Sequence, residues 1–293
     1  MKVSNFKQQY LDDMDSSMTA KKKFKKIPSL VFAVIITIIL IGPLCWLLML
    51  SFKTQQEIIF QPLSLPHSWS FRNYFEVLRM PDYLNYYWNS IKVVFISLVA
   101  SIIISAWAGY GFSRFDFKGK KLIFNMIFCA VMVPGQILII PISLQMNIYG
   151  LNNSLLGLSL IYIAFSLPVS IFILRAFFAR IPQEISDAGN IDGANEWVLF
   201  WRIMFPIARP AVVTVSIFNF VNMWNEFTYA VVLLQSESHR TLPLGIFKFV
   251  GENLSNYSYA AASLVLSILP VLIWYVIFSE RVVEGMTSGS VKG

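Results

Sequence analysis

Charge is scarce in this chain. Only 13% of its 293 residues are Asp, Glu, Lys or Arg, against roughly a quarter in an average soluble domain. With 56% hydrophobic residues and 15% aromatics, it cannot cover a globule with polar surface, which argues against a soluble enzyme. The net charge of +7 is spread over short segments between apolar runs, so it forms no basic face for a nucleic acid. Cysteine and histidine are nearly missing. Cys45 and Cys129 both fall inside apolar runs, which argues against a disulfide framework and leaves packing among small residues as their role. His67 and His239 stand far apart in polar loops, where they read as solvated rather than as a shared metal site. No Gly-x-x-x-x-Gly-Lys-Ser/Thr occurs, so the chain has no phosphate-cradling loop and is expected to bind no cofactor itself.

What is present is a series of long apolar runs. The expectation is an all-α polytopic membrane protein with six transmembrane helices, since each span needs about 20 apolar residues. A polar tail, 1–26, ends in five lysines between Lys21 and Lys26. The run Ile27 to Phe52 is too long for a signal-peptide core and reads as a retained first span. Val93 to Ser113 is the second. From Leu122 to Leu174 no charge occurs, too long for one crossing, and the Gly- and Asn-rich stretch 147–153 predicts a fold-back between spans Leu122 to Met146 and Ser154 to Phe178. The fifth span is expected at Ala211 to Leu234, interrupted by Glu226, and the sixth ends near Ser279. The membrane domain thus covers 27–280, and 281–293 forms a short polar tail.

Basic residues orient the bundle. An inside N-terminus places 17 of the 23 Lys and Arg on the cytoplasmic side, as the positive-inside rule favours, with both termini cytoplasmic and a bacterial inner membrane as the location.

Two segments carry candidate function. Between spans four and five, a stretch of roughly thirty residues far exceeds what a connection needs. A short helix is predicted after Pro182, with Glu184 and Asp187 favouring its positive end. The small residues Ala188, Gly189, Gly193 and Ala194 would let another protein approach the backbone, and Trp197, Phe200, Trp201, Ile203 and Phe205 follow as an apolar set. In span five, increments of three and four put Asn219, Asn222 and Glu226 on one helical face with Asn225 beside it. A mid-membrane carboxylate costs about 2.5 to 3.5 kcal/mol on insertion scales, so this face is expected to turn inward. Two readings stay open there: hydrogen bonds that hold helices together, or a solute path with Trp224 as a stacking surface. A position for Glu226 near the external end of the span, as a gate or loop contact, is a further option.

At the first of these segments the chain resembles the binding-protein-dependent ABC importer permeases. Their signature is Glu-Ala-Ala, three residues, Gly, nine residues, then Ile, any residue, Leu and Pro. Asp187-Ala188-Gly189, Gly193 and Ile203, Phe205 and Pro206 match it at every step of spacing. Asp for Glu keeps the charge and Gly189 for Ala keeps the smallness, at a helix cost of about 0.5 to 1 kcal/mol. Ser51-Phe52-Lys53-Thr54 with Glu57-Ile58, Asn73-Tyr74, Tyr87 with Asn89-Ser90, Phe112-Ser113-Arg114-Phe115, Trp224-Asn225-Glu226-Phe227, Thr241-Leu242-Pro243-Leu244-Gly245 and the terminal Gly285 to Gly293 resemble the carbohydrate, maltose-type branch.

The resemblance implies a permease subunit that passes a sugar or sugar-derived solute, with a cytoplasmic coupling helix at roughly Glu184 to Ala194, Asp192 included, seated in an ATPase subunit. It further implies two ATPase subunits, a second permease subunit forming a heterodimer, and an extracellular solute-binding protein facing the loops after spans one and five, the latter about Gln235 to Tyr257. The alternative of a secondary transporter of a small polar solute fits poorly, because no internal repeat stands out. The spans hold no convergent catalytic or metal-ligating set and no filter sequence, as an enzyme or channel would need.

Overall fold

The computed structural model describes residues 30–251 and 256–287, from 279 onward by backbone alone. The tail 1–26, its lysines and the start of the first span therefore lie outside the described residues, as do part of the loop after span five and the end of the C-terminal tail. Among the described residues there is no strand. Helix α1 (Leu30–Phe52) is long, apolar and bare along its membrane window. Short helices α2 (Gln55–Phe60) and α3 (Arg72–Arg79) follow. Then come α4 (Tyr83–Arg114), α5 (Lys120–Cys129) and α6 (Ile139–Ile148), the last two joined through 3-10 turns. The central pair is completed by α7 (Leu155–Phe178). The rest are α8 (Gln183–Ile191), α9 (Glu196–Ile207), α10 (Arg209–Trp224), α11 (Thr228–Leu233), α12 (Leu242–Gly251) and α13 (Tyr257–Thr287).

Four helices are long and apolar enough to span a membrane, and two bent pairs bring the count to as many as six. The expected third span is the first of these bent pairs; the expected fifth, Ala211 to Leu234, shares only 211–224 with the second pair, the rest falling in a turn and α11. Lys120–Met132 and Gly135–Ile148 meet at 93°, and Glu196–Ile207 and Arg209–Trp224 at 74°. Proline explains both breaks, because it removes an N–H and crowds the preceding turn. Pro134 sits at the first bend; before the second, a π turn over Leu199–Met204 leads to Pro206 and Pro210. Expected span two grows at one end, since α4 begins at Tyr83 rather than Val93. At the other extreme, α13 runs helically to Thr287, into the expected tail.

The core is the α4–α7 pair. Ser97, Ser101, Ser105 and Gly109 recur every fourth residue along α4 and, Gly109 included, face inward. Small residues on one stripe let two backbones approach, the main source of helix association where lipid removes the hydrophobic drive. The serine hydroxyls need no outside partner: Ser101 and Ser105 donate to the carbonyls of Leu98 and Ile102, and Ser97 reaches the Ser159 carbonyl of α7 at 3.2 Å. A Cβ on Gly109 would lie 2.9 Å from the Arg175 backbone nitrogen.

The fold-back after α6 is made by left-handed residues, Gly150 at φ 67° and Asn153 at φ 52°. Asn153 then does a second job, its Oδ1 accepting at 3.0 Å from the amides of Gln235 and Ser236. A separate apolar core, from Ala106 and Tyr110 through Leu174 and Phe178 to Phe200 and Met204, forms at the α8 end. Cys45 and Cys129 are exposed in the chain alone and do not pack among small residues. His67 is exposed, as expected, and bonds Glu57, whereas His239 is half-buried and bonds Ser236.

Candidate functional site: an outward helix and an interhelical groove

Helix α8 starts after Pro182, carries Glu184 in its first turn and spans nine residues. It stops because Gly193 takes φ 81°, the left-handed geometry a glycine supplies without strain. Its N–H then bonds the Asn190 carbonyl at 3.1 Å while Ala194 N–H bonds the Gly189 carbonyl at 3.0 Å, the pair of bonds that satisfies a helix C-terminus. The small residues of the segment thus divide their roles. Gly189 is buried against this chain, where an added Cβ would meet Leu199 Cδ1 at 2.8 Å. Gly193 shapes the turn. Ala194 is half-buried, and Ala188 stays exposed with Glu184, Asp187 and Asp192. Ile191 projects 86% exposed at the tip, a residue that the spacing argument did not single out.

The flanks of α8 are gripped by the last turn of α4. Arg114 donates to the Ile181 carbonyl at 2.7 Å and to Gln183 Oε1 at 2.6 Å. Tyr110 donates to Glu196 Oε2 at 2.9 Å, beyond the other end. Asn195 caps α9 by accepting from Val198 N–H at 2.9 Å. Trp107, Phe200 and Trp201 cluster beneath in tilted and edge-on contacts, with Trp107 and Phe200 centroids 4.5 Å apart.

The polar residues of expected span five are pulled apart by the end of α10 at Trp224. Asn219 is buried and donates to Ser170 Oγ of α7 at 2.9 Å. Asn222 is exposed, its amide bonded to the Phe218 carbonyl of its own helix, and Asn225 likewise to Val221. Glu226 lies past the helix and starts the next one, accepting from Tyr229 N–H at 2.7 Å, Ala230 N–H at 3.2 Å and Tyr162 Oη at 2.9 Å. Trp224 is buried, its indole donating to the Ser267 carbonyl at 3.0 Å, and its ring lies parallel to Phe220. It offers no open stacking face in this chain.

What Asn219, Asn222 and Glu226 do share is a cavity of about 310 Å3 between α7 and α10, closed by Tyr162, Phe165 and Ser166. A second cavity of about 260 Å3 continues toward the α8 end between the same helices, past Ala176 and Thr214 to Arg180. The lining residues step by three and four along both helices, so the two cavities are segments of one groove. Its walls are mostly apolar, with a carboxylate at one end and a guanidinium at the other. Phe165 and Ser166 were not singled out in the sequence because α7 reads there as continuous apolar span, nor were Thr214, on α10, and Arg180, in the polar interval past α7. The signal available was the repeat of residues 162, 166, 169, 173, 176 and 180 at helical spacing.

The loop after α1 is a compact knot. Buried Lys53 donates to the carbonyls of Gln61 at 2.7 Å and Pro62 at 3.1 Å, and Asn73 to those of Ser51 and Lys53. Glu57 closes a capping box with Thr54 and takes the His67 N–H at 3.0 Å. Hydrogen bonds from the Thr54 and His67 amides hold its carboxyl down at about 2.

Residues 101–284 match the family described as binding-protein-dependent transport system inner membrane component. The chain is 34% identical to the diacetylchitobiose uptake system permease protein NgcG of Streptomyces coelicolor, across 87% of this chain and 85% of that one. It is 33% identical to the trehalose transport system permease protein SugB of Mycobacterium tuberculosis, across 86% and 92%. The fold is that of a chain in the crystal structure of a bacterial ABC transporter involved in alginate import, with TM-score 0.77 over 88% of this chain and 96% of that one at 22% identity. The chain thus belongs to the binding-protein-dependent transport system inner membrane components, as a permease subunit of an ABC importer.

Proposed function

We propose that this permease imports a sugar or sugar-derived solute, with α8 as the helix on which a separate ATPase subunit docks. The carrying observation is α8 itself. Both of its flanks are bonded to α4, yet its outer face, Glu184, Asp187, Ile191 and Asp192, is exposed. A segment anchored so firmly and left uncovered has the form of a contact surface. The carbohydrate class is supported by the relatives that carry a chitobiose derivative and trehalose. Nucleotide is handled by two ATPase partners, this chain binding none.

The α7–α10 groove forms this subunit's side of the solute path, completed by a second permease subunit facing it. The α8 end faces the cytoplasm, in line with the basic residues Arg114, Lys118, Lys120, Lys121, Arg175, Arg180, Arg202 and Arg209 gathered there. Both termini then lie inside, and the segments around 54–80 and 235–251 meet the solute-binding protein outside.

The test uses the importer reconstituted with its ATPase subunits, with Cys45 and Cys129 replaced by serine. Cysteine introduced by Ile191→Cys should cross-link to the ATPase subunit through a short bifunctional thiol reagent. A control at Leu63, 84% exposed in the opposite loop, should give no such adduct. The absence of an ATPase adduct from position 191, with or without one from position 63, would overturn the reading.

A further inference from the structure

Helix α4 runs 32 residues without a proline, about 48 Å at 1.5 Å per residue. Its last turn holds both flanks of α8, as described. Its first two turns hold the opposite loop just as closely. Asn89 donates to the carbonyls of Ser238 at 2.8 Å and Arg240 at 3.0 Å. Ser90 Oγ accepts from Leu242 N–H at 2.8 Å. Tyr86 donates its hydroxyl to Glu237 Oε2, and Glu237 also takes Lys248 at 3.0 Å and Arg240 at 3.4 Å. The Tyr86 ring lies so close over Gly245 that no Cβ fits there. Between these two grips, the stripe from Ser97 to Gly109 locks α4 against α7.

We infer that α4 is the strut through which occupancy of the outer loop is transmitted to α8, with Asn89 and Tyr86 as positioning residues at one end and Arg114 at the other. This rests on the reading of α8 as the ATPase contact. The physical reason is the kind of bond at each end. Side-chain groups of α4 hold main-chain carbonyls and amides of the loop and of the α8 approach, so neither segment can shift without α4 or without breaking these hydrogen bonds. A close-packed helix pair responds by moving as a body, because packed cores do not deform continuously. By contrast α5–α6 and α9–α10, each bent at a break, cannot carry a displacement along one axis.

The experiment measures ATP hydrolysis by the reconstituted importer, with and without its solute-loaded binding protein. Asn89→Ala should assemble and keep its unstimulated rate within about twofold, yet lose at least fivefold of the stimulation. Arg114→Ala should lose a similar factor, and the double variant should be no worse than either single one, because both cut one linkage. Stimulation within twofold of wild type in the assembled Asn89→Ala complex, or losses that multiply in the double variant, would overturn the strut. Should Asn89→Ala fail to assemble, Tyr86→Phe keeps the ring and removes only the hydroxyl bond, and the same criteria apply to it. The Ile191 cross-link separates the two levels. An adduct with unaltered stimulation in these variants sinks the strut alone; no adduct sinks the docking reading beneath it.

Discussion

Helix α4 and the α10–α11 segment began as the same kind of object, an apolar run with a few polar residues, and ended as opposites. In the middle of α4 the buried polar residues are serines four apart on the packed face, each able to satisfy its hydroxyl within the pair. The helix continues unbroken. In the other segment they are Asn and Glu near one end, and the helix stops at Trp224 so that Glu226 can cap α11. Polarity inside a membrane helix therefore has two outcomes. A short hydroxyl that returns to its own backbone permits continuation, whereas a carboxylate, which only accepts, must find donors, and a new helix N-terminus supplies free N–H groups.

The largest test of this contrast is steric. Gly109→Leu should cost roughly 3 kcal/mol by overpacking, since the Arg175 nitrogen and Leu174 Cβ, 2.9 and 3.1 Å from the new Cβ, belong to a helix that cannot retreat. Gly111→Leu on the same helix meets nothing within 4 Å and should be neutral or slightly stabilising. Thermal unfolding in detergent compares them, and equal losses would refute the α4–α7 packing account.

Next in size is the cap. Glu226→Ala strips two amides and the Tyr162 hydroxyl of their acceptor and should cost about 2 kcal/mol, while Ser101→Ala in α4 should cost under about 0.5 kcal/mol. Amide exchange of residues 228–233 should quicken in the first variant and remain unchanged in the second. Protection of α11 that survives the loss of Glu226 would mean that something other than the cap stops α10.

Asn222→Ala probes the groove. Its amide only returns to its own helix, so folding and assembly should be unaffected while the solute concentration for half-maximal transport changes several-fold. Unaltered transport by the assembled variant would leave the groove a packing feature.

The smallest effect lies outside the apolar runs, where a carboxylate caps a helix without a membrane to force the choice. Bonding of Glu57 to the Thr54 and His67 amides keeps its carboxyl at about 2, below its ordinary 4.5. A depressed carboxyl contributes stability that is complete above pH 4.5 and is lost as pH falls from there towards 2. Amide exchange over residues 54–67, corrected for intrinsic rates, should show this loss in the wild type and a weaker, pH-independent protection in Glu57→Gln. Identical profiles would remove the capping argument.

Much of this was legible beforehand. The boundaries of α7 were expected at Ser154 and Phe178 and fall at Leu155 and Phe178, because a Gly- and Asn-rich turn and a polar interval bracket them. The start of α8 after Pro182 was legible because proline fits a first turn and Glu184 and Asp187 favour its positive end. The direction of the chain through spans three and five was not, since a window of apolar residues reports length but not the bend that Pro134 or Pro206 imposes. Nor could Gly189 be told from Gly193. One is buried under Leu199 and the other turns left-handed in the open, a difference that depends on neighbours and not on residue type.

Composition alone determined that this protein lives in lipid, because transfer of apolar residues adds up along the chain with little regard to their partners. Spacing determined its helices and marked the segment that became α8. Which polar groups remain available for solute or partner was decided only by the tertiary structure. Glu226 is occupied by Tyr162, and Asn219 by Ser170, from 64 and 49 residues away, and Trp224 is closed off by Phe220 and Ser267. A hydrogen bond depends on position in space, and these partners meet only when α7, α10 and α13 pack together.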